Sequence, residues 1–195
     1  MKNILKIVFL GIAGFALLVF LTAEKPSQVV ANDNVVKIVK YDTLPAKYQL
    51  VGEDKDILKE SLFKKGQKNL IVVGNHDSLA IVKDLPNLFK VEIPYVMVAN
   101  ISSAPWFVKK MFIPGKLEDL KKGSNIPMIY DFDGDMVKVL NVTDNSKTKF
   151  IAYVLSKEGT ISKIYEGSVK EGALDGSMNE SEKKAALEPL YNLIK

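Results

Sequence analysis

The chain has 195 residues, 47% apolar and 26% charged, enough for one domain with a buried core and a short appendage. Its formal net charge is +4, but all 27 basic residues are lysines, so the planar fork that reads phosphates and base edges is missing and no nucleic-acid partner is expected. There is no cysteine, which excludes disulfides, lipoprotein attachment and any thiol chemistry.

The chain opens with Lys2 and Lys6, followed by Ile7–Leu21, 15 residues without charge. As a helix this run would reach about 22 Å, short of the roughly 30 Å hydrocarbon core, and it reads as a signal-peptide core. Small-residue patterns end at Ala23 and Ala31, and the second predicts a mature start near Asn32. An uncleaved N-terminal membrane anchor through Ile7–Leu21 is the alternative reading of residues 1–31. Either way the body is expected to be periplasmic or otherwise extracytoplasmic, without disulfides in a compartment that permits them. Removing residues 1–31 takes away three lysines and one glutamate and lowers the net charge to +2.

Residues 22–34 read as a polar linker, Val35–Tyr41 as an edge strand and Asp42–Asp54 as a loop. Asp56–Phe63 reads as a short amphipathic helix with Ile57, Leu58 and Leu62 on one side, ended by Gly66. These pieces make residues 32–64 an N-terminal extension to a domain spanning 65–195. Leu70–Val73 is a buried-type strand, continuous and β-branched. Ser78–Phe89 has helical spacing, with Asn75 or Asp77 as cap and Pro86 in its third turn. Tyr95–Ala99 is a second buried-type strand. Ser102–Gly115 is irregular, helical around Phe107–Met111, and Leu117–Lys122 adds a helical turn. Pro127–Gly134 is a strand running into a turn, after which Asp135 caps a helix to about Leu140. Phe150–Leu155 and Thr160–Tyr165 form a hairpin through a tight turn at Gly159. Asn179-Glu-Ser-Glu182 resembles a capping box, and the last helix carries Pro189 inside it. Alternation followed by a hairpin predicts an α/β protein with a mixed central sheet and helices on both faces.

Three ordered segments carry a family resemblance. The first is the strand and helix that end in Asp84-Leu-Pro-Asn-Leu88. The second is Ile126-Pro-Met-Ile-Tyr-Asp-Phe-Asp-Gly134 with its short helix. The third is the hairpin Phe150-Ile-Ala-Tyr-Val-Leu-Ser-Lys-Glu-Gly-Thr-Ile161, followed by Tyr165-Glu-Gly167. Together they resemble the thioredoxin-like superfamily, in its peroxiredoxin and thiol-oxidoreductase branches, over residues 65–195. The resemblance implies a three-layer α/β/α fold. It also puts a Cys-x-x-Cys pair in the first helical turn, five residues before a proline; counting back from Pro86 places Ser78 and Ile81 there. The cis-proline that the family sets just before the hairpin strand is absent from Asn145–Phe150. Within that superfamily the chain resembles a cysteine-free, exported YtfJ-type branch, which shares the leader, the Val-Val strand before a turn with a histidine, and a segment like Phe107-Val-Lys-Lys.

His76, the only histidine, stands two residues before Ser78. One reading makes it a general base for a Ser78 nucleophile, with Asp77 as the acid. The plainer reading is a polar loop that caps the helix, since adjacent residues rarely provide triad geometry. Asp131, Asp133 and Asp135 suggest a calcium loop, but the glycine falls at position 4 instead of 6 and no distal glutamate follows, so they read as a turn and a cap. No metal or cofactor is expected. Trp106, the only tryptophan, lies among large apolar residues and reads as part of a packed crossover loop or of an exposed apolar surface for a partner or lipid. The expected function is that of a redox-inactive binding or accessory protein of the cell envelope. Its groove would be bordered by Asn75, His76, Asp77 and Ser78, by Lys147 to Phe150 and by Trp106, and would take an envelope protein or peptide. A serine-dependent hydrolase and a membrane-anchored accessory subunit are the alternatives.

Overall fold

The computed structural model describes residues 38–195. The leader Ile7–Leu21, the linker and the first three residues of the expected edge strand lie outside the described residues. No described helix is long and apolar enough to cross a membrane.

The two buried-type runs form the centre of a six-stranded sheet. β4 (Asn69–Gly74) and β5 (Tyr95–Asn100) pair in parallel, Leu70 opposite Tyr95 and Val73 opposite Val98. β6 (Met128–Asp131) joins β5 in parallel, and β7 (Lys149–Leu155) runs antiparallel to β4. β8 (Thr160–Ser168) returns along β7, and β1 (Val39–Lys40) closes that edge against Ile161 and Thr160. The order is β1-β8-β7-β4-β5-β6. β4 and β5 are buried along their whole length, which is why their sequences are continuously apolar instead of alternating. The two-residue period of a strand divides their side chains between two cores. Leu70, Val72, Met97, Phe150 and Ala152 face one core; Ile71, Val73, Val98, Ile151 and Tyr153 face the other.

The first core is covered by α2 (His76–Val82), α3 (Leu85–Leu88), α5 (Ile113–Lys121) and α7 (Glu180–Ile194). The second is covered by a small hairpin of β2 (Lys47–Gln49) and β3 (Asp56–Leu58), by α1 (Lys59–Leu62), and by α6 (Asp135–Val139). The expected three layers around a mixed sheet are therefore present. Residues 38–64 are part of them, since Tyr41, Leu44, Tyr48, Leu50 and Phe63 are all buried in the second core.

Several expectations are corrected at the level of elements. Asp56–Phe63 is not one helix. Ile57 pairs with Tyr48 and Lys59 N–H donates to the Ala46 carbonyl at 2.9 Å, so strand pairing overrides the helical pattern up to Leu58. Leu58, expected to face inward, is 54% exposed. The same pairing makes Lys47–Gln49 a strand inside the expected Asp42–Asp54 loop. Ser78–Phe89 is two helices, because Pro86 supplies no N–H to the Val82 carbonyl. That carbonyl accepts instead from the Tyr95 hydroxyl at 2.8 Å, and burial pushes the Tyr95 phenol well above its ordinary range. α6 is not capped by Asp135. Gly134, with φ at 72°, occupies the cap position, and the Asp131 carboxylate accepts from Met136 N–H at 3.1 Å and Val137 N–H at 3.0 Å. The capping box of α7 forms as expected, Glu182 N–H donating to Asn179 Oδ1 at 2.9 Å and Asn179 N–H to Glu182 Oε2 at 3.0 Å. Pro189 is accommodated inside α7 on its exposed side, where water can satisfy the Ala185 carbonyl left without a donor.

Candidate binding cleft

In an open α/β sheet the loops leaving the carboxyl ends of neighbouring parallel strands splay apart and leave a crevice. Here β4 ends at Gly74 and β5 at Asn100, and beyond them lies a cleft of about 600 Å³. Its walls come from the start of α2, the loop before β7, α4 (Trp106–Met111) with the start of α5, and a 3-10 turn at Ala173–Asp175. The floor is apolar, from Ala99, Ile101, Val108, Ile113 and Leu117. The rim carries His76, Lys116 and Lys147 together with Glu171 and Asp175, so both charge signs are present.

The start of α2 organises two of these walls. The Asn75 side-chain amide donates across the mouth to the Asn145 carbonyl at 3.0 Å and the Ser146 carbonyl at 3.2 Å. Ser78 N–H donates to the Lys147 carbonyl at 3.2 Å, so a first-turn donor of α2 is capped by the loop before β7. That loop is braced from below. Asp144 accepts from Ser146 N–H at 2.8 Å and from Lys149 Nζ at 2.7 Å, and the lysine holds its carboxyl below the ordinary range. Asn145 Nδ2 also reaches the Ser103 hydroxyl, joining the loop to the opposite wall. Asp77, 3% exposed, accepts from Gly172 N–H and Leu174 N–H, each at 3.1 Å, and so fixes the third wall.

The residues singled out from the sequence separate into three groups. Asn75, His76 and Asp77 meet at the cleft: His76 is exposed at the mouth, Asn75 is half-buried and Asp77 is spent on positioning. Ser78 and Phe150 are both fully buried and offer no surface to a ligand. The Ser78 hydroxyl accepts from Asn75 N–H at 3.1 Å and donates to the Asn75 carbonyl at 3.0 Å, while Phe150 packs beside Tyr165 in the core. Ile81 is 1% exposed. Trp106 lies on α4 outside the cleft lining, 59% exposed.

This arrangement disposes of the triad reading of Ser78, His76 and Asp77. Both hydrogen-bonding capacities of the serine are used within its own turn, and the aspartate is bound to two backbone donors. The sequence reading missed Asn100, Asn145 and Leu174 as cleft residues. Asn100 had a legible mark, a polar residue closing a buried strand just as Gly74-Asn75 closes β4. Asp131 is turned to its helix cap, burial pushing its carboxyl up, and among the described residues no three histidine or acidic side chains are grouped to hold a metal ion.

No family model and no curated protein matches the chain. Among solved structures it is similar to a secreted Mycobacterium tuberculosis disulfide oxidoreductase homologous to E. coli DsbE, at 14% identity over 76% of this chain and 98% of that one, with a TM-score of 0.43. It is similar to the Xanthomonas campestris bacterioferritin comigratory protein, described for alkyl peroxide reduction, at 16% identity over 84% of this chain and 99% of that one, TM-score 0.46. An uncharacterised thioredoxin-like protein of Porphyromonas gingivalis shares 14% identity over 80% of this chain and 94% of that one, TM-score 0.43. The order β5-β4-β7-β8, with one parallel pair, a following hairpin and a closing helix, makes this a thioredoxin-like α/β fold; of the two positions counted back from Pro86, Ser78 lies in the first turn of α2, but Ile81 is the sixth residue of that helix and lies in its second turn.

Proposed function

We propose that this is an exported, thioredoxin-like protein of the cell envelope that works by binding and performs no redox or hydrolytic turnover. The observation that carries the reading is the sealed start of α2. The two positions that would hold thiols are Ser78 and Ile81, both buried, and the serine hydroxyl is closed onto Asn75. Only a thiolate attacks a disulfide or a peroxide in the manner of this fold, and none is present. What stays open is the cleft, with an apolar floor and a polar rim of both signs. That combination suits a polypeptide segment with one apolar side chain lowered into the floor.

The reading predicts background rates of insulin disulfide reduction and alkyl peroxide consumption by the purified protein. It also predicts that a panel of acyl esters is hydrolysed no faster by the wild type than by Ser78→Ala. Catalysed turnover in either redox assay, or an esterase rate that Ser78→Ala abolishes, contradicts it.

A further inference from the structure

Two uncharged polar groups in the cleft have hydrogen-bonding capacity that the protein leaves unused. Asn100 closes β5, lines the cleft and is only 5% exposed. Its amide nitrogen donates to the Asp144 carbonyl at 3.4 Å, which orients the amide. Nothing among the described residues donates to the amide oxygen. A carbonyl oxygen so enclosed is costly to leave unmet. Ser103 also lines the cleft, three residues further on. Its hydroxyl oxygen accepts from Asn145 Nδ2, so the hydroxyl hydrogen is left to donate. The turn that carries both residues is fixed by Ala104 N–H, which donates to the Ile101 carbonyl at 3.1 Å. One acceptor and one donor are thus held on a single turn.

A ligand group that meets both must offer an N–H and a carbonyl oxygen on one side. A residue of extended main chain does so, as in a sheet, where one residue exchanges both bonds with its neighbour. A carboxylate lacks the donor and an ammonium lacks the acceptor. The charged groups of the cleft do not select an ion either, since Lys116 and Lys147 are balanced by Glu171 and Asp175. Ile101, between the two polar residues, belongs to the apolar floor, so a side chain lowered there brings its own main chain to Asn100 and Ser103. A glutamine or asparagine side chain offers the same pair of groups but no apolar branch for the floor. We propose that Asn100 and Ser103 read the main chain of one extended apolar residue, Asn100 Oδ1 accepting its N–H and the Ser103 hydroxyl donating to its carbonyl. This rests on the reading of the cleft as a polypeptide site and adds which part of the segment is recognised.

Isotope-labelled full-length protein is titrated with N-acetyl-leucine N-methylamide, and the backbone resonances of Ala99, Ile101 and Val108 are followed by NMR. The comparison probe is its ester analogue, the same molecule with the leucine N–H replaced by oxygen, which sets a lone pair against Asn100 Oδ1. The first probe is expected to bind at least about fivefold more tightly than the ester. In Asn100→Ala the two are expected to bind alike. Ser103→Ala, at a half-buried position, is expected to weaken both probes by a similar factor of about three to five and to keep their ratio. Propionamide, a carboxamide without the apolar branch, is expected to bind at least about tenfold more weakly than the first probe. Equal affinities of the two leucine probes for the wild type overturn the proposal, and so does a preference that Asn100→Ala leaves in place. Propionamide binding as tightly as the leucine probe also overturns it, in favour of an amide side chain. In each of these cases the shifts at the floor residues leave the cleft reading standing. Resonances of the cleft that none of the probes moves overturn the proposal together with that reading.

Discussion

Asn75 and Asp77 do their work as positioning residues, each reaching a segment far away in sequence. Asn75 holds the loop before β7, and Asp77 holds the turn before α7. Asp77→Ala leaves two backbone donors without their acceptor and is expected to cost about 2–3 kcal/mol, with Asp77→Asn costing less because one amide oxygen still accepts. Urea unfolding measures both, and equal small losses would show that the turn does not depend on the carboxylate. Gly74 is constrained by space: a Cβ there would lie 2.4 Å from Ser78 Oγ. Gly74→Ala therefore has to expel the serine hydroxyl from its turn, at about 1–3 kcal/mol by the same measurement. The sequence showed Ser78 as a vacated redox position and Asn75 as a helix-cap residue. It could not show that Asn75 turns its amide outward, because that follows from Asn145 and Ser146, about 70 positions later.

The break between α2 and α3 is a matter of one carbonyl. Pro86 deprives the Val82 oxygen of its helical donor and Tyr95 from the neighbouring strand supplies another. Tyr95→Phe leaves a buried acceptor unpaired and is expected to destabilise by about 1–2 kcal/mol, whereas a carbonyl reached by water would show no loss. β4, β5, the β7–β8 hairpin and the capped start of α7 were legible because their marks are local: apolar runs, a glycine turn with φ at 84°, and a box closed over three residues. β2 and β3 were hidden because they are only three residues each, and their burial rests on contacts across the chain such as Tyr48 of β2 edge-on to Phe63, centroids 5.8 Å apart. Lys149 and Lys170 hold the carboxyls of Asp144 and Glu182 below the ordinary range. A depressed folded-state value adds stability above the ordinary carboxylate range and loses it as pH falls through the depressed value. The unfolding midpoint should drop on acidification, less steeply in Lys149→Ala and Lys170→Ala; parallel curves for all three proteins would refute the linkage.

As a whole, the molecule keeps the sheet and the crevice of a thioredoxin-like fold in a chain without cysteine. The mixed sheet with helices on both faces could be read from the chain, because alternation followed by a hairpin leaves few topologies. Of the cleft, the walls at Asn75 to Asp77 and at Lys147 could be read; those from α4, the start of α5 and the turn at Ala173–Asp175 could not, since only the folded sheet brings them there. Its function as a binding site is best tested by placing a photocrosslinking amino acid at Lys147 on the cleft rim, or at Leu58 on the distant β3, in the cells that make the protein. Both side chains are exposed, so both report on contact without disturbing the core. The account predicts a discrete adduct from position 147 and none from position 58. Equal labelling at the two positions, or none from the cleft, contradicts it.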